Sequence, residues 1–425
     1  MIYINKEYKV NNIDRLIFLL MAITPVIDIL NGIVVYNLKL NSIVSPGQLI
    51  RSLLLIIITI LCIKQSSKNI LVISLIIVTF LFQQYIFSIN YNVSLIKEIA
   101  FATKILFNVF LLIFLNNYFK LKKIEENKLI ESILIGGALV SGTIVITKIL
   151  GIGVGSYGDV GHKGIFMELN SVTAVLIMCI PITLYKIIYE KKKMYYILLY
   201  LFMAISLIIL GTKAGIAGLV IITSYYVIFG IKGKYKYIKN MCMIILLAIM
   251  MFLFYKIYYS TYMNTIFLRY SHFYNKTDIP TFLLSGRNIL ASIAFQFWKS
   301  KWYHLIVGVG FVRGSEWINS FIFGHGMIEM DLLDLIYFYG IPLALPLIIK
   351  LTSLTIKASF MLIKSCSMVQ KSLFISLIIG FTISFLGGHV ILSPLAGTYF
   401  VTIVAYTNNL LRRKKNEKED LYNCS

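Results

Sequence analysis

Apolar stretches of about twenty residues recur along the chain, and they constrain its fold more than any other feature. A membrane's hydrocarbon core is ~30 Å thick, and a helix needs about 20 apolar residues to cross it. Because 59% of the 425 residues are hydrophobic and only 14% are charged, a soluble fold is excluded. The pattern predicts an all-α polytopic membrane protein with twelve spans, near residues 13–30, 47–63, 69–89, 95–115, 129–150, 166–189, 194–211, 213–230, 240–259, 331–350, 372–389 and 392–411.

Basic residues mark every second loop of this pattern, for example at 191–193 and 412–415. Cytoplasmic loops carry an excess of Lys and Arg, so this register places both termini in the cytoplasm. Anionic lipid facing these loops accounts for the net charge of +22, and no nucleic-acid partner is expected. We predict one integral membrane domain over 1–425, with a long extracytoplasmic loop at 260–330 and a cytoplasmic tail at 412–425.

Cations and imidazoles are also found on the opposite side, where the same rule predicts few positive charges. Four of the seven arginines fall on segments predicted to be extracytoplasmic, and we interpret this as a sign of an anionic ligand: Arg51, Arg269, Arg287 and Arg313. All five histidines are predicted at the same face or in its loops: His162, His272, His304, His325 and His389. For most of these histidines a purely structural role is the alternative.

The long loop is too short, at about 70 residues, to form an independent enzyme domain. Its stretch Arg287 to Tyr303 has helical spacing, with Ile289, Ile293, Phe297 and Trp298 on one side. This pattern predicts a helix lying at the membrane surface, or a simple lid. The glycines that follow predict turns and an irregular segment before the tenth span.

Three carboxylates, Glu329, Asp331 and Asp334, stand where the tenth span begins. In a helix Asp331 and Asp334 share a face, with Glu329 within a turn of both. One interpretation is a solvated helix cap, since carboxylates favour helix N-termini. The other is a functional site, because acids at the top of a membrane helix rarely lack a partner.

Charged residues inside predicted spans are the remaining candidates for function. Lys97 and Glu98 are expected to extend outward to the membrane surface. Lys104 lies deeper and requires a partner that the sequence does not identify. Lys213, in the tight turn GTKAG, is expected to project towards the loop arginines.

Cofactor motifs give no support for a nucleotide or a metal. The sequence has no GxxxxGK[ST] and no HExxH motif, and the dinucleotide-like run at 153–158 follows a span where no strand–helix–strand unit is predicted. The spacing Glu329-x-Asp331 keeps a divalent cation as a minor alternative.

The order of several short motifs resembles one family. The motifs are TPVIDILNG in the first span, SPGQLIR opening the second, GTKAG between the seventh and eighth, SGRN, FW and GVGF in the long loop, and EMDLLDLIYFYGIP entering the tenth. With its motifs in this order, the chain resembles the O-antigen polymerase and O-antigen ligase superfamily. The resemblance implies a GT-C-like, metal-independent glycosyltransferase without a cofactor. It also implies a position in the bacterial plasma membrane and a polyprenyl-diphosphate-linked oligosaccharide as substrate.

The resemblance also implies roles for particular residues. Arg287 of SGRN and Lys213 of GTKAG correspond to positions expected to contact the substrate diphosphate, although lysine replaces the more common arginine. The ligase branch has a histidine eleven residues before the glycine at 340, where this chain has Glu329. A carboxylate, Glu329 or Asp331, is therefore the implied base, with His325 as the alternative. Supporting substrate contacts are expected from Arg51, Arg269, Arg313 and Asp334.

The implied reaction transfers a growing glycan from its lipid diphosphate to the sugar hydroxyl of an incoming lipid-linked repeat unit. Attack on the anomeric carbon from the face opposite the diphosphate makes the expected transfer inverting. Membrane lipid, a flippase and a chain-length regulator are the expected partners. Two alternatives stay open: a ligase that moves finished glycan to another acceptor, and a twelve-span flippase or transporter for lipid-linked oligosaccharide. The lipid that remains on the product distinguishes polymerase from ligase.

Overall fold

The computed structural model describes residues 11–37, 45–90, 94–122, 124–157, 160–190, 193–230, 278–363 and 367–423. In these ranges, eight helices are long and apolar enough to cross a membrane. Two further apolar helices, Met194–Leu210 and Lys213–Phe229, are shorter. The prediction of an all-α polytopic membrane protein is confirmed at this level.

The described elements form a helical bundle with one small hairpin. In chain order they are α1 (Asn12–Asn37), α2 (Pro46–Gln65), α3 (Ser67–Asn90), α4 (Leu95–Leu121), α5 (Glu126–Ile149), β1 (Val154–Tyr157), β2 (Val160–Gly164), α6 (Leu169–Tyr189), α7 (Lys193–Leu210), α8 (Lys213–Tyr225), α9 (Ile279–Leu284), α10 (Arg287–Trp298), α11 (His304–Val307), α12 (Phe311–Phe321), α13 (Asp331–Ile363), α14 (Met368–Leu386) and α15 (Pro394–Asn423).

The predicted spans agree with these helices over most of the chain. The first six spans and the tenth and eleventh each coincide with one of the eight long apolar helices. The ninth, at 240–259, lies outside the described residues. The twelfth, at 392–411, forms the first part of α15, which is buried through residue 410 because it packs against α1, α4, α6 and α14. The total of twelve spans stays a prediction.

Two short strands, β1 and β2, connect α5 to α6. They pair antiparallel, with Gly155 opposite His162 and Tyr157 opposite Val160. The hydropathy pattern does not predict them, because each strand has five residues or fewer. The hairpin packs on α5 and α7 at the same end of the bundle as the N-terminus of α6.

The long helix α13 is broken at Gly340, whose φ of 75° and ψ of 170° are not helical. The carbonyl of Tyr337 accepts a hydrogen bond of 2.9 Å from the backbone of Val309, and that of Phe338 accepts one of 3.2 Å from Gly310. The GVGF motif of the loop therefore packs backbone to backbone against the YFYG motif of the tenth span.

The part of the long loop that the structure describes, segment 278–330, is largely helical. The predicted surface helix from Arg287 to Tyr303 is shorter than expected and ends at Trp298. Its buried residues are Leu290, Ala294 and Phe297, and Ile289 is exposed. The predicted apolar side is therefore right at Phe297 and wrong at Ile289, and Ile293 and Trp298 are half-buried. The helix α10 packs against α12 and α13, and its location at a membrane surface stays a prediction.

Candidate active site

A chain of contacts joins charged side chains at the end of the bundle that carries segment 278–330, which we call the loop end. The N-terminal parts of α2, α4, α6, α10 and α13 contribute to it, together with loop 387–393 between α14 and α15. Two groups of side chains lie there. One surrounds Arg287 and the other surrounds Glu168.

The first group consists of Arg287, Glu329 and His325. Nη2 of Arg287 lies 3.1 Å from Oε2 of Glu329, and Nδ1 of His325 lies 3.7 Å from the other carboxylate oxygen. The side chains are 14%, 29% and 44% exposed, respectively, so a ligand can reach them. Nε of Arg287 is buried and has no hydrogen-bond partner among the described residues. The guanidinium therefore has one donor that the described residues do not use.

Strained backbone occurs at three points around these groups. In the described part of the chain, the non-glycine residues with positive φ are Ser285 (55°), Glu329 (62°) and His389 (59°). Ser285 lies two residues before Arg287, and the other two belong to the charged groups themselves. Such conformations cost of order 1–3 kcal/mol and cluster at functional sites.

Asp331 is fully buried and organises loop 387–393. Its carboxylate accepts hydrogen bonds from the backbone N–H groups of His389 (2.7 Å), Val390 (2.8 Å) and Ile391 (2.7 Å). The hydroxyl of Ser384 donates a fourth, at 2.8 Å. With no exposed surface and every acceptor used, Asp331 is not placed to deprotonate a substrate, so the structure argues against the predicted role as base.

Asp334 is also buried, and its carboxylate closes the loop that precedes α13. It accepts hydrogen bonds from the backbone of Ile328 (2.9 Å) and Met330 (3.1 Å). The expectation of a substrate contact from Asp334 is not supported by this geometry. The three carboxylates thus contact three different sets of partners. Glu329 and Asp331 therefore do not form a pair of cation ligands.

The second group consists of Lys104, Glu168 and His389. Nζ of Lys104 lies 3.4 Å from Oε1 of Glu168, and Nδ1 of His389 lies 4.0 Å from Oε2 of Glu168. Burial raises the pKa of Glu168, but the positive charges of Lys104 and His389 outweigh it and lower the pKa to about 2. Glu168 is therefore the partner that Lys104 was expected to require.

The two groups adjoin through loop 387–393. A Cβ on Gly388 would lie 2.5 Å from the carbonyl oxygen of Glu329, so only glycine fits between them. His389 follows Gly388 directly, so the second group joins this contact through the backbone of loop 387–393.

The environment of Arg51 differs from the predicted substrate contact. It forms a buried ion pair with Asp28, in which Nη2 of Arg51 contacts Oδ1 of Asp28. The side chains are 8% and 15% exposed. Because Asp28 neutralises it, Arg51 supports the helices α1 and α2 more than it offers a charge to a ligand.

Of the other three cations predicted to contact the substrate, the structure describes two, and they lie in different places. Nζ of Lys213 donates to the carbonyl of Phe282 at 3.2 Å and lies 4.1 Å from the centre of its ring, so α8 contacts the segment leading to Arg287. Arg313 lies 3.4 Å from Glu316 on an exposed surface of α12 and is not brought to Arg287 by any described contact. Arg269 lies outside the described residues.

Two histidines have structural roles. His162 contacts the hydroxyl of Thr147 at 3.1 Å, and Nδ1 of His304 lies 3.1 Å from the carbonyl oxygen of Phe297. Burial lowers the pKa of both imidazoles. The structural alternative therefore fits these two, whereas His325 and His389 remain partly exposed.

Glu98 was expected to extend to the membrane surface, and this expectation was wrong. Its side chain is buried and accepts hydrogen bonds from the backbone of Phe311 (3.0 Å) and Val312 (2.7 Å), at the N-terminus of α12. The ring of Phe311 also stacks on Phe101, with ring centres 3.6 Å apart. A carboxylate at a helix N-terminus is favourable, which explains why a buried acid is tolerated here.

A comparison with family models decides the relationship that these motifs suggested. Residues 10–275, more than half of the chain, match the model described as O-antigen ligase like membrane protein. The chain belongs to this family. No curated protein matches it significantly.

The match to the O-antigen ligase like family includes Glu168 and Lys213 but ends before Arg287. The first group and loop 387–393 are therefore assigned from the geometry alone. As a member of this family with eight apolar helices in its described part, the chain is a multi-pass membrane protein.

Proposed function

We propose that this protein is a membrane glycosyltransferase that polymerises a polysaccharide by moving a polyprenyl-diphosphate-linked glycan onto the sugar hydroxyl of a lipid-linked repeat unit. The observation that carries the proposal is the partly exposed Arg287, which is paired to Glu329, the carboxylate that His325 also contacts. Family membership supports transfer of a glycan as the reaction type.

Arg287 suits a diphosphate leaving group for a chemical reason. A guanidinium matches phosphate oxygens with paired, charge-assisted hydrogen bonds. Negative charge grows on the diphosphate as the glycosidic bond breaks, so a cation fixed beside it stabilises the transition state. No step of this reaction uses a cofactor.

The pair between Arg287 and Glu329 implies an exchange of anions. A diphosphate and the Glu329 carboxylate compete for the same guanidinium, and the arriving diphosphate displaces Glu329. The freed carboxylate then has His325 as its neighbour, 3.7 Å away in the ligand-free arrangement. Lys213 is the second cation proposed for the diphosphate, because α8 contacts Phe282 close to Arg287.

The same proposal includes the arrangement of the protein in the cell. It places the chain in the bacterial plasma membrane as one integral membrane domain with both termini cytoplasmic and the loop end outside. A GT-C-like arrangement and twelve spans also belong to this proposal, as do a flippase and a chain-length regulator as partners. A cysteine-accessibility scan of the end of α4 (residues 120–122) and the exposed end of α12 (residues 316–324) tests the orientation.

Polymerisation in a purified system tests the function. The substrate probe is the lipid extract of the source bacterium from which this protein has been deleted, since that strain accumulates the lipid-linked repeat unit. Wild type in nanodiscs should convert the extract into a lipid-linked ladder on a gel. Arg287→Ala should lower the rate roughly 100-fold or more, since one charged hydrogen bond is worth about 1.5–3 kcal/mol and Arg287 offers several.

Two further variants sharpen the test. Arg287→Lys keeps the charge but loses the forked geometry, and an intermediate rate is expected. Glu316→Gln is the matched control, because Glu316 is an exposed acid on α12. An unchanged ladder from Arg287→Ala would contradict the proposal.

The description of the matching family favours one alternative, a ligase. A ligase would transfer finished glycan to a different acceptor and leave no glycan on the polyprenyl carrier. Mild acid, which cleaves sugar diphosphates, separates the cases: a polymer released from lipid by this treatment is the product of a polymerase.

A further inference from the structure

An inverting transfer requires its base and its leaving group on opposite faces of the anomeric carbon. Glu329 and His325, the bases predicted from sequence, both belong to the group around Arg287. If Arg287 binds the diphosphate, these two side chains lie on the leaving-group side. The base that deprotonates the incoming hydroxyl must therefore come from another element.

We propose that His389 is this catalytic base, with Glu168 and Asp331 as positioning residues; the assignment rests on the proposed function above. His389 lies one residue beyond Gly388, whose backbone packs against Glu329, so it adjoins the Arg287 group without belonging to it. Its side chain is 20% exposed, which gives a substrate access to the imidazole.

The backbone at His389 is held in an unfavourable conformation by a dedicated partner. Its φ of 59° is rare for a residue with a side chain. The buried carboxylate of Asp331 fixes this conformation through three consecutive N–H groups that begin at His389. A fully buried carboxylate used in this way fixes the backbone that carries the imidazole, and a fixed backbone helps to position a base.

Glu168 provides the charge that a protonated imidazole needs. One carboxylate oxygen faces Lys104 and the other faces Nδ1 of His389. The 4.0 Å separation from Nδ1 is longer than a hydrogen bond, and such catalytic contacts often shorten only when substrate is bound. The arrangement follows the base-and-orienter logic of hydrolase triads, in which a carboxylate stabilises the imidazolium.

Several charged groups surround His389. Glu168 on the N-terminus of α6 and Asp331 on α13 interact with it electrostatically. Lys104 on α4 lies on the other side of Glu168. Arg51 on α2 interacts with Glu168, and Asp28 on α1 interacts with both Glu168 and Lys104. Two carboxylates thus act directly on the imidazole, and the cations act through Glu168.

The proposed step needs no reactant besides the glycan donor and the acceptor hydroxyl. The acceptor hydroxyl oxygen forms a bond to the anomeric carbon while the bond from that carbon to the diphosphate oxygen breaks. The electron pair of the broken bond stays on the diphosphate, beside Arg287. The hydroxyl proton goes to Nε2 of His389, the ring nitrogen that does not face Glu168, and then to solvent.

Two substitutions at His389 separate catalysis from folding. Asn and Gly both tolerate positive φ, so His389→Asn and His389→Gly preserve the backbone while removing the base. Both variants should fold, as judged by melting temperature, and should bind polyprenyl diphosphate in nanodiscs as wild type does. The rate of ladder formation from the lipid extract should fall roughly 100-fold or more, the usual range for loss of a general base.

Two readouts respond to a base and not to a structural role. Added imidazole should restore part of the rate of His389→Gly, where it has room to bind, and should not restore Arg287→Ala. The acidic limb of the pH–rate profile should disappear in His389→Asn and persist in Glu329→Gln. Glu168→Gln should lower the turnover number with the KM for the lipid-linked substrate unchanged, and Glu168→Asp should recover part of the loss.

The outcomes distinguish this inference from the proposed function. A folded His389→Asn variant that forms the ladder at the wild-type rate overturns the inference and leaves glycosyl transfer intact. Loss of the acidic limb in Glu329→Gln instead of His389→Asn also overturns it. The absence of any ladder from wild type supplied with the extract overturns both.

Discussion

Gly340 and Gly308 meet backbone to backbone, and a Cβ on Gly340 would lie 2.8 Å from the amide nitrogen of Gly308. The break in α13 and the start of the GVGF motif therefore form one close-packed unit. This unit holds segment 278–330 against the bundle, and with it Arg287.

Gly340→Ala should destabilise the protein by about 2–5 kcal/mol, since positive φ costs about 1–2 kcal/mol and overpacking about 1–3 kcal/mol. Thermal unfolding in detergent measures the loss. Gly142→Ala is the matched control, because a Cβ there meets nothing within 4 Å. Equal melting temperatures for the two variants would contradict the close contact.

Asp28→Asn should cost about 3–5 kcal/mol, because it leaves the guanidinium of Arg51 buried without its counter-charge. The same measurement on Glu125→Gln gives the control, since Glu125 pairs with Lys128 at an exposed position. That change should cost less than about 1 kcal/mol. Equal losses of stability in the two variants would show that Asp28 does not stabilise the buried charge of Arg51.

Glu98→Gln should loosen α12 while leaving the bundle folded. Phe311 and Val312 donate to different oxygens of the carboxylate, and the substitution replaces one of these oxygens with an NH2 group, which cannot accept that hydrogen bond. We expect a loss of about 1.5–3 kcal/mol in local stability, read as faster hydrogen exchange over 311–321. Unchanged exchange in this segment, with Glu316→Gln as control, would refute the role of Glu98.

Glu168 should make the stability of the protein depend on pH in the acid range. Burial raises its pKa, the charges of Lys104 and His389 lower it, and the result is a pKa of about 2 against a usual 4.5. Because the folded protein binds this proton less tightly, the ionised carboxylate stabilises the fold above pH 4.5. That contribution is lost as the pH falls towards 2.

Melting temperatures of wild type and Glu168→Gln from pH 6 to 3 check this expectation. Wild type should lose more stability than the variant over that interval, so the difference between them should narrow. A constant difference across the interval would show that Glu168 is not held ionised by its neighbours.

Hydropathy predicts the helices well because each span must satisfy its own backbone and present an apolar surface. It does not predict that the span at 392–411 is buried on all sides in α15, since apolar character does not distinguish lipid from protein interior. It also misses the break at Gly340, because a glycine followed two residues later by Pro342 reads as an ordinary part of an apolar run.

The charged residues show the limit of sequence reasoning about the site. Arg287 and Glu329 were both identified, and the structure brings them together across 42 residues of sequence. The partners of Lys104 and Glu98 were not identified, since they lie 64 and 213 residues away and nothing local specifies them. Asp331 was predicted as a possible catalytic base because the residues around it do not indicate that loop 387–393 buries it.

The carboxylate of Glu98 has a consequence for how the protein is made. It is synthesised with α4, and its hydrogen-bond donors in α12 follow 213 residues later. Before the ribosome has produced that segment, these donors do not exist, and an unpaired charge in lipid is costly. The acid therefore gains its donors only when segment 278–330 docks, so the final environment of α4 depends on the same event that positions Arg287.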